Sequence, residues 1–358
     1  MVADSFIDTG LRILPYVELV IGFPCIVCNI YFAFRFSQLS AINPNLRVLL
    51  ILTNLLSAFI AILHPTMEFM PESMYSIVNG RYLGATLYYS IAFLTYAFVF
   101  ILDCKFIMIM IERRIAFKNR AVYEQSDSAL GLKIFCVFII VAILVIVVRI
   151  IAIILARDPS QSVDDIMEIA FVAERSPAFF LNIHIAPVIS SVLGVYELHR
   201  LIRLTKHYRH KGSTLSEASC KQCALNYKFR RFEINQTAEV IEILKPLLYI
   251  YCSLTSLSTV SYSCLLYFHY CLEYGTKSSL YLAITNLDYL CASSYTLLST
   301  GYMLFSFRDM RRTLYRNFKQ FLCVTVHTDR VCPEIDKDKQ TKDHFDYLKA
   351  VWETKAPQ

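Results

Sequence analysis

The sequence predicts an all-α membrane protein, a bundle of seven transmembrane helices with the N-terminus outside and the C-terminus inside. Three observations predict it. First, the 358 residues are 56% hydrophobic and only 18% charged, with a mean hydropathy of +0.47, which soluble domains of this length rarely show. Second, apolar runs recur seven times, at about 15–36, 46–64, 84–111, 132–155, 179–204, 246–271 and 281–305. Each is close to the roughly 20 residues that a bilayer core requires. Third, the segments between the runs alternate in basic content. One side holds 28 Lys and Arg and the other only five, so the basic side is expected to be cytoplasmic.

Residues 1–14 form the expected extracellular N-terminus. Asp4 and Asp8 precede the first run, and no basic leader or small-residue cleavage site follows, so the first span is expected to act as its own insertion signal. Residues 15–305 make up the membrane domain. The second run ends at His64-Pro65, and the fifth contains Asn182, His184 and Pro187, where a kink is expected because proline is tolerated inside membrane helices. The external 156–178 connection is acidic, with Asp158, Asp164, Asp165, Glu168 and Glu174. The internal 200–245 connection carries ten Lys and Arg and is expected to prolong the fifth and sixth helices into the cytoplasm. Its Asn235-Gln236-Thr237 sequon, being inside, is expected to be unmodified.

Beyond the seventh span, Phe307, Met310, Leu314, Phe318 and Phe321 recur at helical spacing with Arg308, Arg311, Arg312, Arg316 and Lys319 on the other face. That pattern predicts an amphipathic helix over 306–322 on the inner leaflet. Cys323 follows as a possible palmitoylation site, and 323–358 reads as a polar, disordered tail.

Twelve cysteines do not make a disulfide framework, because most lie inside apolar runs as small apolar fillers. Cys220 and Cys223 form a lone Cys-x-x-Cys without a second ligand pair, so no metal site is expected. Neither 65–95 nor 156–178 contains a cysteine, which rules out a disulfide from the top of the third helix to the following external connection. No zinc-protease motif, Gly-rich phosphate loop or nucleophile-base arrangement is present, so neither an enzyme nor a cofactor is expected. Nothing in the sequence points to nucleic acid.

Several residues stand out within this frame. Glu112-Arg113-Arg114 closes the third apolar run at the cytoplasmic boundary. Neighbours in sequence do not share a helix face, so each charge is expected to seek a partner on another helix. The cluster reads either as a positive-inside anchor or as a breakable switch. Asp103 lies nine residues above Glu112, about 13 Å along the helix and close to the midplane. Asp288 sits about two turns below the outer end of the seventh span, and both carboxylates are expected to face the bundle interior. They read as ligand contacts or as a structural or cation-holding network. Lys105 is expected to point away from Asp103, and Arg149 to snorkel outward. Tyr88, Tyr89, Phe93, Phe179, Phe180, His184, Tyr267, His269, Tyr281 and Tyr289 crowd the outer halves of the spans, either as an interfacial belt or as the lining of a small-molecule pocket.

Seven spans in this orientation match the topology of G-protein-coupled receptors, and three short motifs narrow the resemblance. Asn45-Leu46-Arg47 opens the second span. Glu112-Arg113-x-x-Ala116 is followed by Tyr123-Glu124, and Leu225-x-x-Lys228-Phe229 by Glu233 before the sixth span. Together, in this order, they resemble the nematode serpentine chemoreceptors, the Sre (class E) group foremost, with the related Sra, Srab and Srb groups open. Arg230 and Ile234 depart from the class E pattern, as does the Ser299-Thr300-Gly301-Tyr302 end of the seventh span from the Asn-Pro-x-x-Tyr of many receptors.

The resemblance implies a chemosensory receptor in the plasma membrane of sensory neurons, often at cilia, detecting a small external molecule and coupling to a heterotrimeric G protein. It further implies that Arg113 meets the G protein with Glu112 as its resting partner, next to Arg114, Tyr123 and Glu124. Lys228, Phe229, Arg230, Arg231 and Glu233 would supply the rest of the coupling surface. The alternative of another class is a ligand-gated channel or transporter with Asp103, Asp288 and Lys105 along an ion path.

Overall fold

A computed structural model describes residues 2–39, 42–119, 129–158, 160–172, 177–214, 221–272, 275 and 278–321. All regular structure among them is helical: α1 (Val2–Ser37), α2 (Pro44–Glu68), α3 (Glu72–Tyr75), α4 (Tyr82–Asp103), α5 (Lys105–Lys118), α6 (Ala129–Leu155), α7 (Val163–Phe171), α8 (Pro177–Thr214), α9 (Lys221–Cys271), α10 (Ser279–Ser306) and α11 (Arg308–Phe321). The chain divides into two compact units, 1–310 and 311–358, and only residues 311–321 of the second are described.

Local chemistry sets many of the helix ends. Asn43 caps α2 by accepting from the Asn45 N–H, with Pro44 in the first turn, where its missing donor does no harm. Ser162 caps α7 through the Asp165 N–H, and Asp164 and Asp165 favour the positive helix end. Ser278 caps α10 through the Tyr281 N–H. The helices outrun the apolar runs. α1 begins well before residue 15, α2 continues through Pro65, and α8 continues through Pro187. At 38 and 51 residues, α8 and α9 are far longer than one crossing needs.

Among the described residues, six helical stretches are long and apolar enough to cross a membrane: 9–37, 44–68, 82–103, 129–155, 185–207 and 237–271. The seventh long helix, α10, falls below that hydropathy because Thr285, Asn286, Asp288, Ser293, Ser299 and Thr300 lie along it. Its polarity is used inside the bundle. The buried Thr300 hydroxyl lies 2.8 Å from Asn29 Oδ1 and 3.0 Å from Asn54 Oδ1, tying α10 to α1 and α2. Both asparagine amides donate back into their own helices, to Cys25 and Leu50 at 2.8 and 2.7 Å.

Opposite faces are apolar and unpacked. Val20, Phe23, Val27, Ile30 and Phe34 on α1, and Val137, Ile140, Leu144, Val148 and Ile151 on α6, are more than half exposed at spacings of three and four. Stripes of that length require lipid rather than water.

The third crossing is not one helix. Cys104 interrupts it between α4 and α5, and the break coincides with Tyr251 of α9 reaching Asp103. The Tyr251 hydroxyl lies 3.0 Å from the Asp103 carboxylate and 3.4 Å from its carbonyl. α2 and α6 meet backbone to backbone at Gly131, where any Cβ would overlap the Asn45 carbonyl. The Gly131 N–H donates to Asn45 Oδ1 at 3.0 Å, which satisfies one of the orphan donors of the first turn of α6.

At the other end of the bundle, α3 and α7 pack over α4 without a disulfide. The Asp164 carboxylate accepts from the Ser76 hydroxyl and the Ile77 N–H, both at 2.7 Å. Tyr75 stacks on Tyr88 with ring centroids 3.9 Å apart. Arg149 does not snorkel outward. It is 3% exposed, and its guanidinium donates to the carbonyls of Ile169 and Val172, 3.1 and 3.4 Å away, at the C-terminal end of α7. Those carbonyls are the orphan acceptors and negative pole of the helix, a better partner for a buried cation than a distant headgroup. Replacing Arg149 with alanine is therefore expected to free α7, raising hydrogen exchange over 163–172 while α2 stays protected. Reducing agent is expected to leave the ligand response unchanged, because the cover is held by these polar contacts and not by sulfur.

Candidate functional site

Between the break at Cys104 and α10 the helices leave a cavity of about 190 Å³. Its walls come from α1, α2, α4, α5, α8, α9 and α10, mostly through apolar side chains with hydroxyls among them, and Asp103, Lys105 and Asp288 supply its charged groups. Asp103 accepts the Tyr251 hydroxyl, and Asp288 lies 3.5 Å from the Ser258 hydroxyl. Phe106, Tyr251 and Tyr295 also line it and pack ring to ring in sequence, with centroids 5.3 and 5.8 Å apart, bridging α5, α9 and α10. The Tyr295 hydroxyl donates to the Leu247 carbonyl of α9 at 3.2 Å.

Lys105 corrects the expectation that it would point away from Asp103. On an unbroken helix two residues apart face nearly opposite ways, but here the irregular residue Cys104 stands between them, and both line the cavity. Tyr251 and Tyr295 were missed altogether, since a tyrosine in mid-span carries no motif. Their only sequence signal is a polar-tipped ring far from either end of an apolar run.

Most of the aromatic candidates lie outside this cavity. Tyr88 and Tyr89 are buried under α3 and α7 against Tyr75 and Phe171. Phe93 and Tyr281 pack with Tyr96 and Tyr262 in a separate apolar cluster. Tyr267 is 55% exposed and rests on Phe268, while His269 meets Tyr270 edge to face. The backbone of His184 is helical, but its side chain lies outside what the structure describes. Tyr88, Tyr89, Phe93, Tyr267, His269 and Tyr281 do not line the cavity, whereas Tyr289, Asp103 and Asp288 do.

Below the cavity floor, α5 carries Met108, Ile109 and Met110 into the core and then Glu112 and Arg113. These two pair with each other, against the expectation drawn from helix geometry. Arg113 Nε and Nη2 donate to Glu112 Oε2 and Oε1 at 2.5 and 2.6 Å, with both residues essentially fully buried. The helix-face rule concerns Cβ directions, whereas two long side chains can bend toward one another beyond their Cβ atoms and form the two-pronged contact a guanidinium favours. Arg114 does find another helix. Its Nη1 lies 3.2 Å from Glu197 of α8, which also holds Arg200 at 3.4 Å, on a partly exposed surface. Tyr123, Glu124 and Cys323 lie outside the described residues. Lys228, Phe229, Arg230, Arg231 and Glu233 fall on α9 with side chains outside them.

A family model described as "Serpentine type 7TM GPCR receptor class ab chemoreceptor" matches residues 4–327. The chain belongs to that family. Class ab is one of the related groups that the three motifs left open beside class E. The chain is thus a serpentine chemoreceptor, a G-protein-coupled chemosensory receptor and not a member of an enzyme family. No curated protein matches it. Among solved structures its fold is similar to that of squid rhodopsin, with a TM-score of 0.53 and 12% identity over 95% of this chain and 91% of the squid chain. That likeness fixes the all-helical rhodopsin-type bundle for this chemoreceptor and leaves its ligand to be argued from its own residues.

Proposed function

We propose that the receptor sits with its N-terminus outside and the Glu112 end of the bundle in the cytoplasm, in the plasma membrane of chemosensory cells, at cilia if those cells are nematode neurons. The 28-to-5 partition of basic residues supports that orientation. In it, α11 lies along the inner leaflet with Arg311, Arg312, Arg316 and Lys319 toward headgroups, and Cys323 would add an acyl anchor. A small external molecule occupies the cavity, and a heterotrimeric G protein docks against Arg113, Arg114 and the basic part of α9.

The observation that carries the coupling is the Tyr251–Asp103 hydrogen bond at the helix break. It joins the third crossing, which ends in the Glu112–Arg113 pair, to α9, whose N-terminal part is basic. A ligand that competes for either partner changes how α9 sits against α5. Only a ligand binding the two arrangements with different affinity can shift between them. In the shifted one, Arg113 leaves Glu112 and becomes available to the G protein.

Tyr251→Phe tests the link. It removes one part-buried hydrogen bond to a carboxylate, worth about 1.5–3 kcal/mol, and keeps the ring. The expected result is changed basal activity and changed ligand potency in a G-protein activation assay, with near-normal surface expression. Unchanged basal and ligand-evoked activation would disprove the link. Epitope tags at the two termini test the orientation, since only the N-terminal tag should be accessible on intact cells.

A further inference from the structure

Of the charged side chains that line the cavity, Lys105 alone has neither a hydrogen bond nor an ion pair among the described residues. Asp103 accepts the Tyr251 hydroxyl and Asp288 has the Ser258 hydroxyl nearby, so both carboxylates have a donor within the wall. An ammonium has three donors and no acceptor, and in an apolar surrounding it is costly until an anion or several acceptors reach it. Lys105 sits at the start of α5, directly beside Phe106 on the cavity floor, where the interruption at Cys104 turns it inward. The remaining wall is apolar side chains such as Ile60, Val99, Leu102 and Leu254, interspersed with serine and threonine hydroxyls.

We propose that the cavity recognises a small monocarboxylic acid with an apolar body, whose carboxylate pairs with the Lys105 ammonium while its body fills the space against Val99 and Leu254. The proposal rests on this cavity being the ligand site. At about 190 Å³ the cavity is below the usual 300–1,000 Å³ of drug-sized sites, which favours short acids over long lipids. An acid that reaches Lys105 also lands one residue from the Phe106–Tyr251 ring contact and two from Asp103, at the point where α5 meets α9. Binding energy from the new ion pair is therefore delivered at the element expected to move.

The test uses the full chain in lipid nanodiscs and three probe series of matched length, from four to ten carbons: straight-chain carboxylates, primary amines and alcohols. Thermal unfolding is read with each. Without ligand, Lys105→Met is expected to raise the melting temperature, because it removes an unpartnered charge, and Lys105→Arg is expected not to. At least one carboxylate should stabilise the unmodified chain more than its amine and alcohol counterparts. Its apparent affinity should fall at least tenfold in Lys105→Met and survive in Lys105→Arg. A Val99→Trp variant, which fills the cavity, separates the two readings. Stabilisation by acids that survives Val99→Trp places the binding elsewhere and overturns the cavity as the site. Stabilisation lost in Val99→Trp but kept in Lys105→Met leaves the cavity standing and overturns the acid assignment. Preference for amines or alcohols, or no effect of any carboxylate, overturns the acid assignment as well.

Discussion

Replacing Glu112 with alanine is expected to destabilise the receptor by about 3–5 kcal/mol and to raise its ligand-independent signalling. Both effects follow from one geometry. Glu112 is 0% and Arg113 1% exposed, and the guanidinium meets the carboxylate through two hydrogen bonds. Removing the carboxylate leaves a guanidinium in the core without this two-pronged partner. The arrangement that holds Arg113 inside therefore loses its advantage over any arrangement that releases the side chain to water. Each 1.4 kcal/mol of that loss shifts the balance tenfold toward the released state. Basal nucleotide exchange on the G protein, measured without ligand, should therefore increase.

Arg113→Ala should destabilise comparably, because it takes the two-pronged partner from a buried carboxylate, yet it should abolish signalling, since the group offered to the G protein is gone. A double replacement, Glu112→Leu with Arg113→Met, separates the contributions. Replacing a buried ion pair with apolar side chains is often neutral or stabilising, so stability should recover while signalling stays absent. Equal basal activity in Glu112→Ala and the unmodified chain would show that the pair is an anchor and nothing more.

Gly131→Ala is expected to be one of the most damaging single-methyl changes in the bundle, with a loss of more than the usual 1–3 kcal/mol of overpacking and little receptor at the cell surface. The added Cβ would overlap a backbone carbonyl, that of Asn45, which cannot swing aside as a side chain can. α6 would have to withdraw from α2, breaking the bond from the Gly131 N–H to Asn45 Oδ1. Asn45→Ala is the control. It removes the same hydrogen bond without a clash and should cost only about 0.5–2 kcal/mol, as for a lost helix cap. If the two variants were equally stable, the close approach of the helices would not be what fixes this contact.

The asparagine that opens the second span was visible as part of a motif, but its work was not. From the sequence it marks where a helix begins. In the bundle it tethers the start of a different helix, through a residue 86 positions away. The same division runs through the site. Asp103 and Asp288 could be singled out because an ionisable residue in an apolar run is conspicuous wherever it points. Tyr88, Tyr89, Phe93, Tyr267, His269 and Tyr281 could not be sorted into packing and pocket, because period and depth do not say which neighbour a ring meets. Lys105 was set aside on ideal helix geometry, and a single interrupted turn at Cys104 reversed that reading.

What the sequence by itself determined is the solvent, the all-helical build of long apolar segments and the kinship with serpentine receptors. Those follow from sums over many residues, such as apolar length and motif order, which tolerate local error. The tertiary structure alone decided which charges meet. The Glu112–Arg113 chelate, the Arg149 guanidinium on the carbonyls of α7 and the inward turn of Lys105 each depend on side-chain reach and on one backbone irregularity. Electrostatics in a low-dielectric bundle is settled at the scale of a few ångströms, and a one-dimensional pattern does not resolve distances that short.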